Sequence, residues 1–190
     1  MLKNNNKGFT LPELLVTVSV ISLISIVIFA NYRTGSQQFA LQRAAHKLAQ
    51  DIRRAQEMAM SAKECSVCGN VVPPGYGIYS GVVNEEPKEY FLFADINGDG
   101  RYSDNELIET ISYGDGIFLS SVNATCLGSP SPGLRRYHLA FHSPDPSTEL
   151  WVGWAPSFFT CSKITFNLRS PVSGQTASVT VNRVGLIEIE

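Results

Sequence analysis

The rhythm of hydrophobic and polar positions changes twice along this chain. A leader of eight residues carries Lys3, Lys7 and the triplet Asn4-Asn5-Asn6, and then residues 9–30 are apolar with one charge, Glu13. As a helix that run spans about 33 Å, close to the ~30 Å hydrocarbon core of a bilayer. Farther on, the apolar positions thin to a stripe. Leu41, Ala45, Leu48, Ile52, Ala55 and Ala59 recur at alternating steps of four and three, while Arg43, Lys47, Asp51, Arg54 and Glu57 fall elsewhere. One helix is expected from Phe9 to about Ala62, with Gly35 and Ser36 placed to loosen it near the junction.

From Lys63 the period shortens to two. Tyr76–Ser80, Tyr90–Ala94, Ile117–Val122, Tyr137–His142, Leu150–Trp154, Ile164–Leu168, Ala177–Val181 and Gly185–Ile189 read as short strands. Turn clusters such as Pro73-Pro74-Gly75, Ser129–Gly133, Ser143–Pro146 and Ser170–Gly174 separate them. Tyr137, Leu139 and Phe141 face one way, and His138, Ala140 and His142 the other. A long helix followed only by strands predicts an α+β fold, the helix packed on antiparallel β-sheet.

Two details set the apolar run apart from a secretory signal. No small-residue cleavage site follows Ala30, where the chain continues as Asn31-Tyr32-Arg33. Glu13 is an ionisable group about one turn inside the run. Unpaired, it costs ~2.5–3.5 kcal/mol at a helix centre and less near the interface. It calls for a positive charge at the same depth. Lysines on the N-terminal side leave that end cytoplasmic and the bulk of the chain across the membrane.

Gly8-Phe9-Thr10-Leu11-Pro12-Glu13-Leu14-Leu15-Val16 resembles the class III signal of type IV pilins and pseudopilins. That resemblance implies a cut between Gly8 and Phe9 by a prepilin peptidase, N-methylation of Phe9, and a bacterial inner-membrane location with the C-terminal domain extracytoplasmic. It implies that Glu13, the fifth residue after the cut, pairs with the N-terminal ammonium of a neighbouring subunit. Partners would be other pilins or pseudopilins and the inner-membrane assembly platform. Pro12 departs mildly from the pattern; it falls in the first turn, where amides have no intrahelical acceptor. The layout of one helix and many short strands is similar to H-type minor pseudopilins and FimT/FimU-type minor pilins, and implies a type IV pilin-like fold. The divisions expected are a leader (1–8), a transmembrane or filament-core helix (9–30), its soluble half (31–62) and a β-rich domain (63–190).

Charge and cysteines add to this picture. The chain has a formal net charge of -2, and loss of the leader removes two lysines and leaves -4, which does not advertise nucleic-acid binding. Cys65, Cys68, Cys126 and Cys161 in a translocated domain point to disulfides, with Cys65–Cys68 and Cys126–Cys161 favoured and all three connectivities open.

One segment has metal-ligand spacing. Residues 95–106 match the twelve positions of an EF-hand calcium loop: Asp95, Asn97 and Asp99 at one, three and five, Gly100 at six, the Arg101 carbonyl at seven, Ser103 at nine and Glu106 at twelve. All donors are oxygens, which suits a hard cation. The flanks read as β rather than helix, so a structural calcium site in a β context is expected, not a helix-pair sensor. His138 and His142 are about 13 Å apart along a strand, too far for one metal ion, and read as surface residues. No nucleophile elbow or phosphate loop appears, and no enzymatic activity is expected. A second reading, a competence pilin that captures DNA, meets a C-terminal tail with one arginine and two glutamates, Asn182–Glu190.

Overall fold

The computed structural model describes residues 8–81, 86–114, 116–127, 136–144, 147–154 and 157–190, with backbone only for 30–34 and 154. The leader before Gly8, the Ser129–Gly133 turn, Arg135 and residues 145 and 146 lie outside the described residues.

Helix α1 runs from Leu11 to Met60, 50 residues, or about 75 Å. Thr10 precedes it in extended conformation, and Pro12 occupies its first turn, where no acceptor is lost. Gly35 and Ser36 do not interrupt it, a correction to the loosened junction expected above; helical hydrogen bonding carries through both residues. The helix has two environments. Among the described residues nothing covers the apolar stretch Leu11–Phe29. The hydroxyls of Ser19, Ser22 and Ser25 each donate to the carbonyl four residues earlier at 2.8 Å, so these polar groups need no water. From Leu41 onward the expected stripe is buried: Leu41, Ala45, Leu48, Ile52, Ala55 and Ala59 are all at most 2% exposed.

Nine antiparallel strands were found among the described residues: β1 (Gly75–Ser80), β2 (Glu89–Asp95), β3 (Leu107–Ser112), β4 (Phe118–Cys126), β5 (Arg136–His142), β6 (Thr148–Trp154), β7 (Ser157–Arg169), β8 (Thr176–Asn182) and β9 (Ile187–Ile189). Their order is β3-β2-β1-β5-β6-β7-β8-β9, with β4 also on β7. Strand β7 joins two parts of the sheet, because its first residues pair with β6 and its later ones with β4 and β8. Sequence periodicity caught only its second half, Ile164–Leu168.

The helix lies on the face made by β1, β5, β7, β8 and β9. Tyr76, Ile78, Leu139, Phe141, Ile164, Val179 and Val181 meet its stripe there, each under 2% exposed. Polar ties border the contact: the Tyr76 hydroxyl donates to the Lys63 carbonyl, the Tyr90 hydroxyl to Asp51, and Arg54 to Glu109 at 2.8 Å. Both favoured disulfides, Cys65–Cys68 and Cys126–Cys161, are formed. The second staples β4 to β7 across directly opposed positions.

The opposite sheet face is also covered. Paired registers place Phe91, Tyr79, His138 and Trp151 in one row across β2, β1, β5 and β6, and Phe93, Gly77, Ala140 and Glu149 in the next. The small residues Gly77 and Ala140 leave a shallow valley into which the Phe93 ring turns; a Cβ on Gly77 would collide with that ring. Residues 96–106, connecting β2 to β3, fold back over these rows.

Candidate functional site

At the N-terminal end, Gly8 and Phe9 precede the helix and are exposed, Phe9 at 79%. Glu13 is in the first turn, where the helix N-terminus favours negative charge. Among the described residues its only hydrogen-bond partner is the Thr10 hydroxyl, at 3.5 Å, and no cation pairs with it. The Gly8-Phe9 bond and the acid thus stand close together on the bare end of an apolar rod.

The second candidate is the loop between β2 and β3. As expected, strands rather than helices flank it, and residues 104–106 form one 3-10 turn. Asp95 and Glu106, at the first and twelfth positions, are 0% and 1% exposed. Asp95 Oδ1 accepts the Asp99 amide at 3.1 Å and Oδ2 the Gly100 amide at 3.0 Å. Glu106 Oε1 accepts the Ile96 amide at 3.0 Å, and its Oε2 the Ser103 amide at 2.8 Å. Asn97 and Asp99 close turns inside the loop by accepting the Asp99 and Arg101 amides. The two buried acids therefore tie the ends of the loop to its middle. Burial raises the Asp95 carboxyl above the ordinary range, against the pull of the Gly100 and Asp99 amides.

No three of the described His, Cys, Asp or Glu side chains are gathered to hold a metal ion. Asp99 faces the Arg101 guanidinium at 3.6 Å, while Asp95 and Glu106 are occupied by backbone donors. Gly100 has φ +68°, and a Cβ there would also strike the Glu149 carboxylate and the Trp151 indole nitrogen. Glycine at this position is required twice, for the turn and for the fit against β6.

Aromatic packing fixes the loop on the sheet. Tyr102 stacks on Tyr79 at 4.8 Å and on Phe91 at 5.8 Å, and its amide donates to His138 Nδ1 at 2.9 Å. The Arg101 guanidinium lies over Trp151 and Phe158, 5.4 and 4.9 Å from the ring centroids. This corrects the reading of His138 as a surface residue: the loop covers it and leaves it 2% exposed. With Nδ1 accepting, the proton sits on Nε2, which has no hydrogen-bond partner among the described residues. His142, farther along the strand, is half-buried, with Nε2 at 3.2 Å from Glu149. Strand periodicity placed both histidines on one face. It carried no sign that a distant loop would cover that face.

Residues 3–29 match the prokaryotic N-terminal methylation motif. This match supports a type IV pilin-like protein. The α+β arrangement, an N-terminal apolar helix with a curled antiparallel sheet, is consistent with a pilin-like fold. The motif implies processing by a prepilin peptidase and assembly with other pilins, and the bare apolar helix fits membrane anchoring. Comparison with curated proteins and with solved structures gives no match.

Burial gives His138 a measurable signature. Desolvation, and then the positive charges of Arg101 and Arg136, lower its pKa from 6.5 to about 3. Between those values the unfolded chain binds a proton that the folded chain does not. His138 therefore contributes stability that is complete above about pH 6.5 and lost progressively toward pH 3. The difference in urea midpoint between wild type and His138→Gln, which retains an acceptor for the Tyr102 amide, should shift over that range. A pH-independent difference would contradict a buried neutral histidine.

Proposed function

We propose that the chain is a minor pilin or pseudopilin: a structural subunit, cut after Gly8 and N-methylated at Phe9, which helps initiate or cap a filament at the bacterial inner membrane. One observation carries this reading. A 19-residue apolar stretch of α1 that no described residue covers holds an acid with no cation beside it among the described residues, in the first turn after the Gly8-Phe9 bond, within a segment that matches the methylation motif.

The mechanism follows from electrostatics in an apolar medium. Cutting after Gly8 frees an ammonium on Phe9 and removes Lys3 and Lys7, so the apolar rod retains one acid and one amine. In a bundle of such rods, Glu13 of one subunit accepts the terminal ammonium of a neighbour. The pair is favourable at one stagger and leaves buried charge unpaired at the others, which selects register. The β domain remains outside the cytoplasm, where its two disulfides persist. A DNA-capturing pilin is the alternative, and the paucity of basic residues in the C-terminal tail favours the structural role.

In this reading the loop at 95–106 takes a structural calcium ion. The donor chemistry fits a hard cation: three carboxylates, an amide oxygen, a backbone carbonyl and a hydroxyl in the EF-hand order, with glycine where the turn needs it. Asp95, Asn97, Asp99, the Arg101 carbonyl, Ser103 and Glu106 would hold the ion. Its charge would offset the repulsion among the three carboxylates that would hold it, Asp95, Asp99 and Glu106, in a loop whose lone cation, Arg101, meets Asp99 at 3.6 Å and lies over Trp151 and Phe158. Outside the cytoplasm, affinity of ~10⁻⁴–10⁻³ M suffices for such a site.

Two measurements test these proposals. Glu13→Ala should insert in the membrane at wild-type levels yet assemble at least tenfold less into sedimentable filaments; normal assembly would remove Glu13 from the mechanism. Millimolar calcium should raise the melting temperature of the full chain in detergent by several degrees, and Glu106→Gln should abolish the gain. An unchanged melting temperature would refute the calcium site.

A further inference from the structure

Pro12 stands four residues beyond Gly8, whose carbonyl belongs to the bond that is to be cut. In a continuous helix the amide of residue 12 is the donor to that carbonyl. Proline has no amide hydrogen, and inside a helix its ring collides with the carbonyl four residues earlier. An aliphatic residue at this position would bring the donor back and remove the collision.

The observed end of α1 agrees with that restriction. Residues 8–10 are not helical, and Thr10 is extended, with φ -84° and ψ 149°. The first helical hydrogen bond runs from the Leu14 amide to the Thr10 carbonyl at 3.1 Å, and Pro12 is the second residue of the helix. For the Gly8 carbonyl to accept a helical bond, the helix would have to open two residues earlier, at Phe9. Pro12 would then be its fourth residue, the first that must supply a donor. No other device fixes the boundary, because Thr10 makes no side-chain cap. In apolar surroundings unpaired amides are costly, so an unrestricted helix end tends to lengthen. The bond itself is open: Gly8 and Phe9 are exposed, and no described atom lies within 4 Å of a Cβ built on Gly8.

We infer that Pro12 is a positioning residue for the cut, which holds the Gly8-Phe9 bond outside the helix with the Gly8 carbonyl free. This rests on the processed-pilin reading above and adds the residue of this chain that prepares the bond. In the hydrolysis, water adds to the Gly8 carbonyl carbon and the carbonyl oxygen gains negative charge. The carbon–nitrogen bond then breaks, Gly8 ends as a carboxylate, and the nitrogen takes a proton and leaves as the amine of Phe9. Donors on the peptidase must reach that oxygen as its charge develops. A carbonyl already held by a helical amide offers them less, and an extended, unbonded one offers itself fully.

The test follows loss of the leader from the pulse-labelled full chain in cells that carry the prepilin peptidase. Pro12→Leu and Pro12→Ala restore the donor and favour helix, so each should insert in the membrane at wild-type levels yet lose the leader at least fivefold more slowly. Pro12→Gly restores the donor but resists helix, and should be cut faster than both. In the uncut chain in detergent, the carbonyl carbon-13 resonance of Gly8 should move toward the helical range in Pro12→Leu. An unmoved resonance, a Pro12→Gly chain as slow as Pro12→Leu, or a Pro12→Leu chain cut at the wild-type rate would each overturn this inference alone. A wild-type chain that keeps its leader would instead overturn the processing reading, and this inference with it.

Discussion

One rod with two solvents is the constraint that organises this molecule. Over fifty residues α1 keeps a single backbone geometry while its surroundings change from none of the chain's own to a packed sheet. Burial of the upper half follows from six small or aliphatic residues at helical spacing. The lower half has no such stripe because it is apolar all round, the pattern of a helix meant for lipid or for other helices. Everything charged near the lower half matters for that reason. A carboxylate that would be unremarkable on a water-exposed helix becomes, at Glu13, a demand for a partner.

The β domain solves a different problem. A nine-stranded sheet has two faces, and one helix covers only part of one. Its inner face meets α1, and β7 carries the sheet into a second curved part stapled by Cys126–Cys161. The outer face would otherwise present Phe91, Tyr79 and Trp151 to water. The β2–β3 loop crosses it instead, held down by Tyr102 and Arg101 and tied at its ends by Asp95 and Glu106. The residues that resemble a cation loop and the residues that cover the sheet therefore belong to one segment, so ordering the loop and protecting the outer face are the same event.

Much of this was legible from residue order alone. The helix and its buried stripe followed from periodicity, and so did the β elements, since α1 and the strands obey 3.6- and 2-residue rhythms with little interruption. What escaped was long-range. His138 looked like a surface residue because alternation reports which side of a strand a group is on, not what lies on top of that side. The first half of β7, Ser157–Cys161, has no clean alternation, since it turns from one part of the sheet to the other. Gly35-Ser36 looked placed to loosen the helix, yet one glycine costs a long helix only about 1 kcal/mol, which propagation from both sides absorbs. The N-terminal motif was the most legible of all, because it is a local pattern of residues, and residues 3–29 match the methylation motif.

The account depends on a new amine arising at Phe9 to meet Glu13. Mass spectrometry of the N-terminal peptide, taken from the membrane-extracted protein of cells with an intact prepilin peptidase, tests that directly. The account predicts a chain that begins at Phe9 with one added methyl group. A chain that still begins at Met1, with Lys3 and Lys7 in place, would contradict it.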